Sequence, residues 1–331
     1  KSTNGGVDWT GADDGIETLV IPVDIAVDPQ NVDKLFVAAG CQPRNGGWMS
    51  ADGGDIWTEP GGMEACMGAF AVSPQDSNTV YAGAYACSRG AVRRSEDGGL
   101  SFDPVYTATL IHPDCIGGDE SINALAIAPS APRTVYAGGN DRPGFQDRNA
   151  VVVRSLDDGT SWTEVFTLPA RSRVEALAIN PADDDVVYAG GEDCHAGPCE
   201  GVVYRSTDGG DSWSLTLVTT KTVRSIVIDL WSPDVVYVAD DGYWVLKSTD
   251  GGDSWIVARP PYHVHHEPSG NLLAIDPNVP SHVYLGGFGY IAETPDGGQS
   301  WSGIDQGAPP RDPNALAVDH GTCLLYTSDA A

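Results

Sequence analysis

Positive charge is scarce in this sequence. Of its 331 residues, 18 are lysine or arginine and 46 are aspartate or glutamate, so the formal net charge is −28. Such a surface repels nucleic acid and anionic lipid, which excludes both as partners. Two interpretations of the acidity remain open: solubility or salt tolerance, with many aspartates capping their own turns, and binding of a divalent cation such as Ca²⁺ or Zn²⁺.

Long apolar runs and the common nucleotide-binding motifs are also missing. No apolar stretch reaches the roughly 18 residues of a membrane-spanning helix, so no membrane span is predicted. The chain has no Walker loop, Rossmann glycine pattern or nucleophile elbow. What it does have is 40 glycines and 23 prolines alongside 41% hydrophobic residues. That combination is too apolar for a disordered polymer and is typical of a turn-rich β protein.

A short segment recurs seven times along the chain. Each copy, here called a box, starts with Ser or Thr, has Asp or Asn two residues later, and ends with an aromatic residue. The boxes are Ser2–Trp9, Ser50–Trp57, Ser95–Phe102, Ser155–Trp162, Ser206–Trp213, Ser248–Trp255 and Thr294–Trp301. Successive boxes lie roughly 40 to 60 residues apart, which is the length of one propeller blade.

A second signature precedes each complete box. A short apolar run ends at Pro, or once at Leu, and an aromatic residue follows seven positions later. The pairs are Pro29 and Phe36, Pro74 and Tyr81, Pro129 and Tyr136, Pro181 and Tyr188, Leu230 and Tyr237, and Pro277 and Tyr284. Each unit therefore predicts four short antiparallel strands, and such units must stack into a closed ring to bury both of their faces.

The sequence thus predicts an all-β, seven-bladed β-propeller of four-stranded blades within residues 1–320. The expected blades are approximately 21–60, 66–110, 121–168, 173–219, 222–260, 270–306, and a composite of 1–12 with 312–320. The composite blade is expected to be incomplete, because the aromatic strand that should follow Asp319 is replaced by a different segment. That segment, 321–331, resembles translated sequencing-adapter read-through of a metagenomic fragment and is predicted to be a non-native or disordered tail. Cys323 lies within it.

The boxes resemble the Asp-box, or BNR, repeat of sialidases, sortilin-type receptors, xyloglucan-degrading glycoside hydrolases and photosystem II assembly factors. The resemblance implies a turn between the third and fourth strands, with the Asp side chain bonding backbone amides and the Trp packing between blades. It implies a structural role for Asn4, Asp52, Asp97, Asp157, Asp208, Asp250 and Asp296. The likeness to sialidases stops there, because Val20-Ile-Pro22 lacks the arginine of that family's Arg-Ile-Pro segment.

Six cysteines are predicted on one face of the disc. Strands alternate in direction within a blade, so loops after second strands and loops leading into first strands emerge together, opposite the boxes. The cysteines are Cys41, Cys66, Cys87, Cys115, Cys194 and Cys199. Six cysteines allow 15 connectivities. Loop proximity suggests pairing Cys41 with Cys66, Cys87 with Cys115, and Cys194 with Cys199. Disulfides indicate a secreted protein, extracellular or periplasmic.

The segment Tyr262-His-Val-His-His-Glu267 on the same face carries the densest chemistry. His263 and His265 alternate, so on an extended strand they point the same way and could share a cation with Glu267. In a lyase, His265 or His266 with Tyr262 would serve as base and acid. The alternative is a surface loop whose histidines have no function. No metal site is assigned.

Polar residues also gather at one position of the first strands, near the mouth of the central channel. Alignment on the prolines makes Val23, Gly68, Asn123, Glu175, Arg224, Asn271 and Asn314 equivalent. Glu175 and Arg224 form either an ion pair lining a wet channel or, with Arg171 and Arg173, a site for a polar or anionic ligand such as an acidic sugar.

Two functions remain open. The first is a monomeric binding or scaffold propeller whose loop face takes a glycan or an extracellular protein through aromatics. These are Trp48, Tyr85, Tyr243, Trp244, Phe288 and Tyr290, which alternatively pack between blades. The second is a glycan-active enzyme, either a glycoside hydrolase or a polysaccharide lyase. A hydrolase needs two carboxylates about 5 to 10 Å apart. Candidates are Glu175, Glu267, Glu120, Asp119 and Glu192, and no pair is singled out.

Overall fold

The regular structure in the computed structural model consists of β-strands. The structure describes residues 1–6, 8–16, 22–40, 46–63, 66–84, 91–107, 121–144, 147–168, 171–195, 197–242, 244–258, 272–287, 290–304, 313–318 and 325–329. In chain order the strands are β1 (Pro22–Asp28), β2 (Asn31–Ala39), β3 (Gly46–Ser50), β4 (Met67–Val72), β5 (Val80–Ala84), β6 (Ala91–Ser95), β7 (Asp103–Thr107), β8 (Ser121–Ile127), β9 (Val135–Gly144), β10 (Asp147–Ser155), β11 (Thr163–Leu168), β12 (Arg173–Asn180), β13 (Asp183–Asp193), β14 (Glu200–Ser206), β15 (Ser214–Thr219), β16 (Val223–Ile228), β17 (Val236–Asp240), β18 (Val245–Ser248), β19 (Ile256–Val257), β20 (Leu272–Ile275), β21 (Val283–Gly287), β22 (Tyr290–Thr294), β23 (Ser302–Gly303), β24 (Pro313–Val318) and β25 (Leu325–Asp329). Over these described ranges, no helix is long and apolar enough to cross a membrane.

These strands form six blades. Five are four-stranded antiparallel sheets, β4–β7, β8–β11, β12–β15, β16–β19 and β20–β23, with strand order following chain order. The first blade, β1–β3, has three strands, and a single bridge between Met49 and Thr58 stands in place of the fourth. In the seventh position, β24 pairs with β25 alone. The all-β propeller prediction is confirmed, while the prediction of seven blades is matched only in part.

The ring closes through β24. The first strands of the blades, together with β24, surround one central cavity. On one side β24 contacts β1, and on the other it contacts β20 and β21. The N-terminal box joins this closure, because Trp9 packs with Ile304, Leu316 and buried residues of the sixth blade. Residues from the two ends of the sequence therefore fill the seventh position together.

The C-terminal segment differs from the predicted disordered tail. Leu325–Asp329 form β25, in which Tyr326 lies opposite Ala317. This is the register of Tyr188 opposite Ala178 in the fourth blade. Without β25, one edge of β24 would keep unpaired backbone groups, and Leu, Tyr and Thr favour extended structure. Leu325–Asp329 are therefore a strand of the fold, and the alternative that segment 321–331 is non-native stays a prediction.

Neighbouring blades are fastened by the aromatic residue of each second strand. Tyr188 is fully buried, and its hydroxyl donates a hydrogen bond to the Gly251 carbonyl of the next blade at 2.8 Å. The Arg205 guanidinium donates to the same carbonyl. Tyr136 and Arg154 repeat the arrangement one blade earlier, on Gly209. These two joints thus combine buried ring area with a hydrogen bond that an apolar residue could not make.

The boxes form the turns between third and fourth strands. In all seven boxes the first hydroxyl accepts the N–H of the glycine four residues later at 2.7 to 2.9 Å. In all seven the Asp or Asn Oδ1 accepts a second N–H, also four residues on, at 2.8 to 2.9 Å. Gly209 and Gly210 have φ of +67° and +94°, which favours glycine there.

In the six blades, the box turn also bonds the turn before the second strand, or the start of that strand, in the same blade. The Gly209 N–H donates to the Asp185 carbonyl at 2.9 Å, and the Gly251 N–H donates to Asp234 at 2.8 Å. These two sets of turns define one side of the disc, the turn face. The opposite side, the loop face, carries the connections after second strands and before first strands.

Candidate functional site

A cavity of about 210 Å³ lies where the first strands converge. Its lining includes the predicted ring residues Val23, Gly68, Asn123, Glu175 and Arg224. They meet because each stands at the start of a first strand, and all first strands run in the same direction around the ring. Of the other two predicted members, Asn271 and the side chain of Asn314 lie outside the described part.

Glu175 is the centre of an ionic network at this mouth. Arg224 Nη1 lies 3.3 Å from Glu175 Oε1, which is the ion pair that the sequence suggested. Arg173 Nε lies 2.9 Å from Glu175 Oε1 and 2.8 Å from Glu192 Oε1. The Arg173 N–H is not directed at either oxygen, so these contacts are ion pairs rather than hydrogen bonds.

Two further residues extend the network outward. Arg224 Nε donates to Asp241, with N–O distances of 3.0 and 2.9 Å to its two oxygens. Thr222 donates its hydroxyl to Glu192 at 2.9 Å. Three carboxylates therefore face two guanidinium groups, so an added anion would meet net negative charge here. Arg171, the other predicted anion ligand, is exposed in the turn before β12, with φ of +68°.

Burial and neighbouring charges shift the pKa values of two groups in this network. Burial raises the pKa of Glu175 above its ordinary value, although Arg224 and Arg173 both act to lower it. For Arg224, burial acts to lower the pKa, but the carboxylates of Glu175 and Asp241 outweigh it and raise the pKa. The Glu175 side chain is 12% exposed. The mouth therefore holds a carboxyl group that takes up a proton more readily than a surface glutamate.

Asp24 is a cavity residue that the sequence analysis missed. Its carboxylate accepts the Phe70 N–H at 2.7 Å, yet burial raises the pKa of Asp24 to about 6. In the fifth blade, Ser225 makes the equivalent bond, accepting the Leu273 N–H at 3.2 Å. The sequence holds a signal for Asp24, because it is the charged residue at the position directly after the ring residues. The other first strands carry uncharged residues there: Ala69, Ala124, Ala176, Ser225, Leu272 and Ala315.

Asn123 presents an acceptor without a described donor. Its side-chain amide donates to the Val174 carbonyl at 3.2 Å, which ties the third blade to the fourth. Its Oδ1 is buried and accepts no hydrogen bond from the described residues. Because buried acceptors are normally satisfied, this oxygen favours a hydroxyl or water donor in the cavity.

One predicted disulfide is present on the loop face. Cys194 and Cys199 are bonded to each other, with the loop between β13 and β14 closed by the bridge. The Cys194 N–H lies 3.4 Å from Ser172 Oγ, beside the start of β12. Cys66 is also in a disulfide, and its partner lies outside the described residues. Cys41, Cys87 and Cys115 lie there too, so the other two pairings stay predictions.

The structure does not describe the histidine cluster. Tyr262, His263, His265, His266 and Glu267 all fall outside the described ranges, so their catalytic and cation-binding roles stay predictions. Where the structure does describe the chain, one group of metal-ligating residue types comes together, Glu192 with Cys194 and Cys199. Its sulfurs are joined in the disulfide, so they are not available as thiolate ligands.

The structure places two of the aromatic residues predicted for the loop face, Trp48 and Trp244. Trp48 is 1% exposed and packs in the core of the first blade, so it offers nothing to a ligand. Trp244 is half-buried, and its backbone N–H donates to Asp240 at 3.1 Å. Glu120, Asp119, Tyr85, Tyr243 and Phe288, together with the side chain of Tyr290, lie outside the described part.

Comparison by sequence finds relatives among carbohydrate-active enzymes. No family model matches the chain. A xyloglucanase of Hypocrea jecorina is 27% identical over 276 residues, which cover 71% of this chain and 32% of the relative. A xyloglucanase of a Paenibacillus species is 27% identical over 129 residues, covering 35% of this chain and 12% of the relative. The chain thus spans a third or less of the length of these relatives.

Comparison by structure finds propellers of two kinds. The GH74 xyloglucanase of Xanthomonas campestris superposes with a TM-score of 0.71 at 17% identity, covering 98% of this chain and 54% of that one. YCF48 bound to D1 peptide superposes with a TM-score of 0.63 at 15% identity, covering 96% and 92%. At such identities the likeness shows the fold alone. The chain is a β-propeller that shares its architecture with xyloglucanases and with YCF48.

Proposed function

We propose that this chain is a secreted, carbohydrate-binding β-propeller that holds a glycan at the channel mouth on its loop face. The observation that carries the proposal is the run of Asn123, Glu175 and Arg224 on three consecutive blades around the cavity. Sugar hydroxyls donate and accept hydrogen bonds, and this run supplies an amide oxygen, a carboxylate and guanidinium donors.

The relatives support a carbohydrate ligand. Similarity to a xyloglucanase extends over 71% of this chain, including several blades. The Cys194–Cys199 disulfide fits an extracellular or periplasmic location, where such bonds persist. We propose that the protein acts as a monomer, and an extracellular protein is the alternative partner for the same face.

Charge at the mouth favours a neutral glycan over an acidic sugar. Both arginines are already paired with Glu175, Glu192 and Asp241, and Asp24 adds a further carboxyl group to the cavity. The whole chain carries −28. An anionic ligand would therefore meet net repulsion as it approached.

Calorimetric titration with xyloglucan and with polygalacturonate tests this proposal. We expect binding to xyloglucan alone, weakened about tenfold or more by Asn123→Leu, which removes the unsatisfied acceptor. Ser130→Ala, on the turn face, serves as the control and should bind as the parent protein does. Equal binding by parent and Asn123→Leu would contradict the placement of the site.

A glycan-active enzyme is the second candidate, and a specific observation favours it. Asp24 and Glu175 line the same cavity, and burial raises the pKa of both, that of Asp24 to about 6. A carboxyl group that keeps its proton to a higher pH than a surface carboxyl group can act as a general acid. Release of new reducing ends from xyloglucan, abolished by Glu175→Gln or Asp24→Asn, would establish hydrolysis. Xyloglucan that stays intact after prolonged incubation would contradict the hydrolase hypothesis.

A further inference from the structure

The turn after β16 carries an exposed tryptophan on the turn face. Trp231 is 73% exposed, which is the largest exposure among the big apolar side chains of the described residues. Its indole Nε1 donates to the Pro277 carbonyl of the next blade at 3.2 Å. The ring is therefore held in one orientation while most of its surface faces solvent.

Two other blades make the same bond with a glutamine. Gln30 Nε2 donates to the Pro74 carbonyl at 3.0 Å, and Gln75 Nε2 donates to the Pro129 carbonyl at 3.2 Å. Gln30, Gln75 and Trp231 occupy equivalent positions, directly after Pro29, Pro74 and Leu230. Fastening the blades at this point requires one N–H donor, so the indole ring exceeds what the fold needs.

The backbone around Trp231 is also fixed. Asp229 Oδ1 accepts the N–H of Trp231 at 2.8 Å and that of Ser232 at 2.9 Å. Leu230, in the turn after β16, is 41% exposed, and Val279, in the turn after β20, is 48% exposed. The result is a rigid, flat aromatic surface whose ordering does not have to be paid for when a ligand arrives.

We propose that Trp231 forms a second glycan-binding site, on the turn face, which stacks against the apolar face of a sugar ring in a neutral polysaccharide. This rests on the proposed function for the class of ligand, and its location is independent of the channel mouth. Size argues for a sugar: a stable protein interface covers about 800 Å² per partner. One tryptophan side chain offers roughly 150–250 Å² of contact area, which is far smaller than such an interface.

The matched variant is Trp231→Gln, because glutamine already makes the inter-blade bond in the first two blades. We expect it to keep the parent's unfolding midpoint while weakening binding to xyloglucan about tenfold in calorimetry. Trp231→Phe, which keeps a ring but loses the N–H, should retain most of the affinity. The shift in tryptophan fluorescence on adding xyloglucan should diminish in Trp231→Gln. Gln75→Ala controls for the turn face and should bind normally.

The outcomes separate this site from the channel mouth. Weakened binding in Trp231→Gln, with further loss in the double variant with Asn123→Leu, supports two sites. Unchanged binding in Trp231→Gln beside a loss in Asn123→Leu overturns the second site and leaves the proposed function standing. The reverse pattern overturns the channel-mouth site alone. Binding of a protein partner but of no polysaccharide, lost in Trp231→Gln, overturns the sugar assignment.

Discussion

The two faces of the disc differ in how far they repeat. On the turn face, all seven boxes make the same two backbone hydrogen bonds, within 0.2 Å of each other in length. At the channel mouth of the loop face, equivalent positions carry Val23, Gly68, Asn123, Glu175 and Arg224, which differ in size and charge. Repeated positions maintain the ring, and positions that depart from the repeat are where we propose binding.

The turn face also has positions whose residues differ from those of the other blades. Trp231 stands where two other blades have glutamine. In the sixth blade, Glu293 stands where the second to fifth blades have arginine or lysine, and it pairs with His282 Nε2 at 2.7 Å. Each blade contacts only its neighbours, so one joint can change while the others hold.

The largest effect should come from removing a repeated inter-blade residue. Tyr188→Ala deletes a fully buried ring and its hydrogen bond to Gly251, so we expect a loss of about 4 kcal/mol in unfolding free energy. Tyr188→Phe keeps the ring and should lose about 1 kcal/mol. Urea denaturation followed by fluorescence measures both. Similar losses for the two variants would show that packing contributes little to the joint.

A smaller loss is expected from the loop-face network. Arg224→Met removes the cation that Glu175 and Asp241 share and leaves Arg173 as the remaining partner of Glu175, which should cost about 2 kcal/mol at pH 8. Burial already raises the pKa of Glu175, and removing Arg224 raises it further. The loss should therefore shrink as the pH falls and Glu175 takes up a proton. Arg133→Met, which breaks an exposed turn-face pair with Asp158, should cost almost nothing at either pH.

The loop-face disulfide should contribute comparably or slightly less. Replacing both Cys194 and Cys199 by serine opens a short loop, for which chain entropy predicts a loss of about 2 kcal/mol. Thermal unfolding of the double variant, beside the parent under reducing conditions, measures this. A parent midpoint insensitive to reductant would mean that the bridge constrains the loop without stabilising the ring.

The smallest effect is a gain, at Asp24. Burial raises the pKa of this carboxyl group from 3.8 to about 6, so ionising it disfavours the folded state. The folded protein therefore loses stability as the pH rises from about 4 through 6. Asp24→Asn should gain about 1 kcal/mol at pH 8, discounted because the cavity admits water, and nothing near pH 4. Denaturation at the two pH values tests this, and an equal gain at both would exclude titration as its cause.

Several site residues followed from the sequence because they are periodic. The boxes and the buried aromatics stand at constant offsets, and strand alignment brought Asn123, Glu175 and Arg224 to one position. Asp24 was not predicted, because it stands one position after the aligned ring residues. Trp231 was not predicted, because the exposure of a turn residue leaves no mark in the sequence. For Trp48 the sequence left a loop aromatic and a packing residue as alternatives, since nothing local distinguishes a buried third strand from an exposed loop.

By itself the sequence determined the repeating unit, the turns and the aromatic joints, because these depend on residues within one blade and on fixed spacing. Tertiary structure decided which charges meet at the mouth, how strongly Asp24 and Glu175 hold their protons, and that β25 completes the edge of β24. Those properties depend on contacts between strands from different blades and on burial. Such contacts are set by closure of the ring and leave no local signal in the order of the residues.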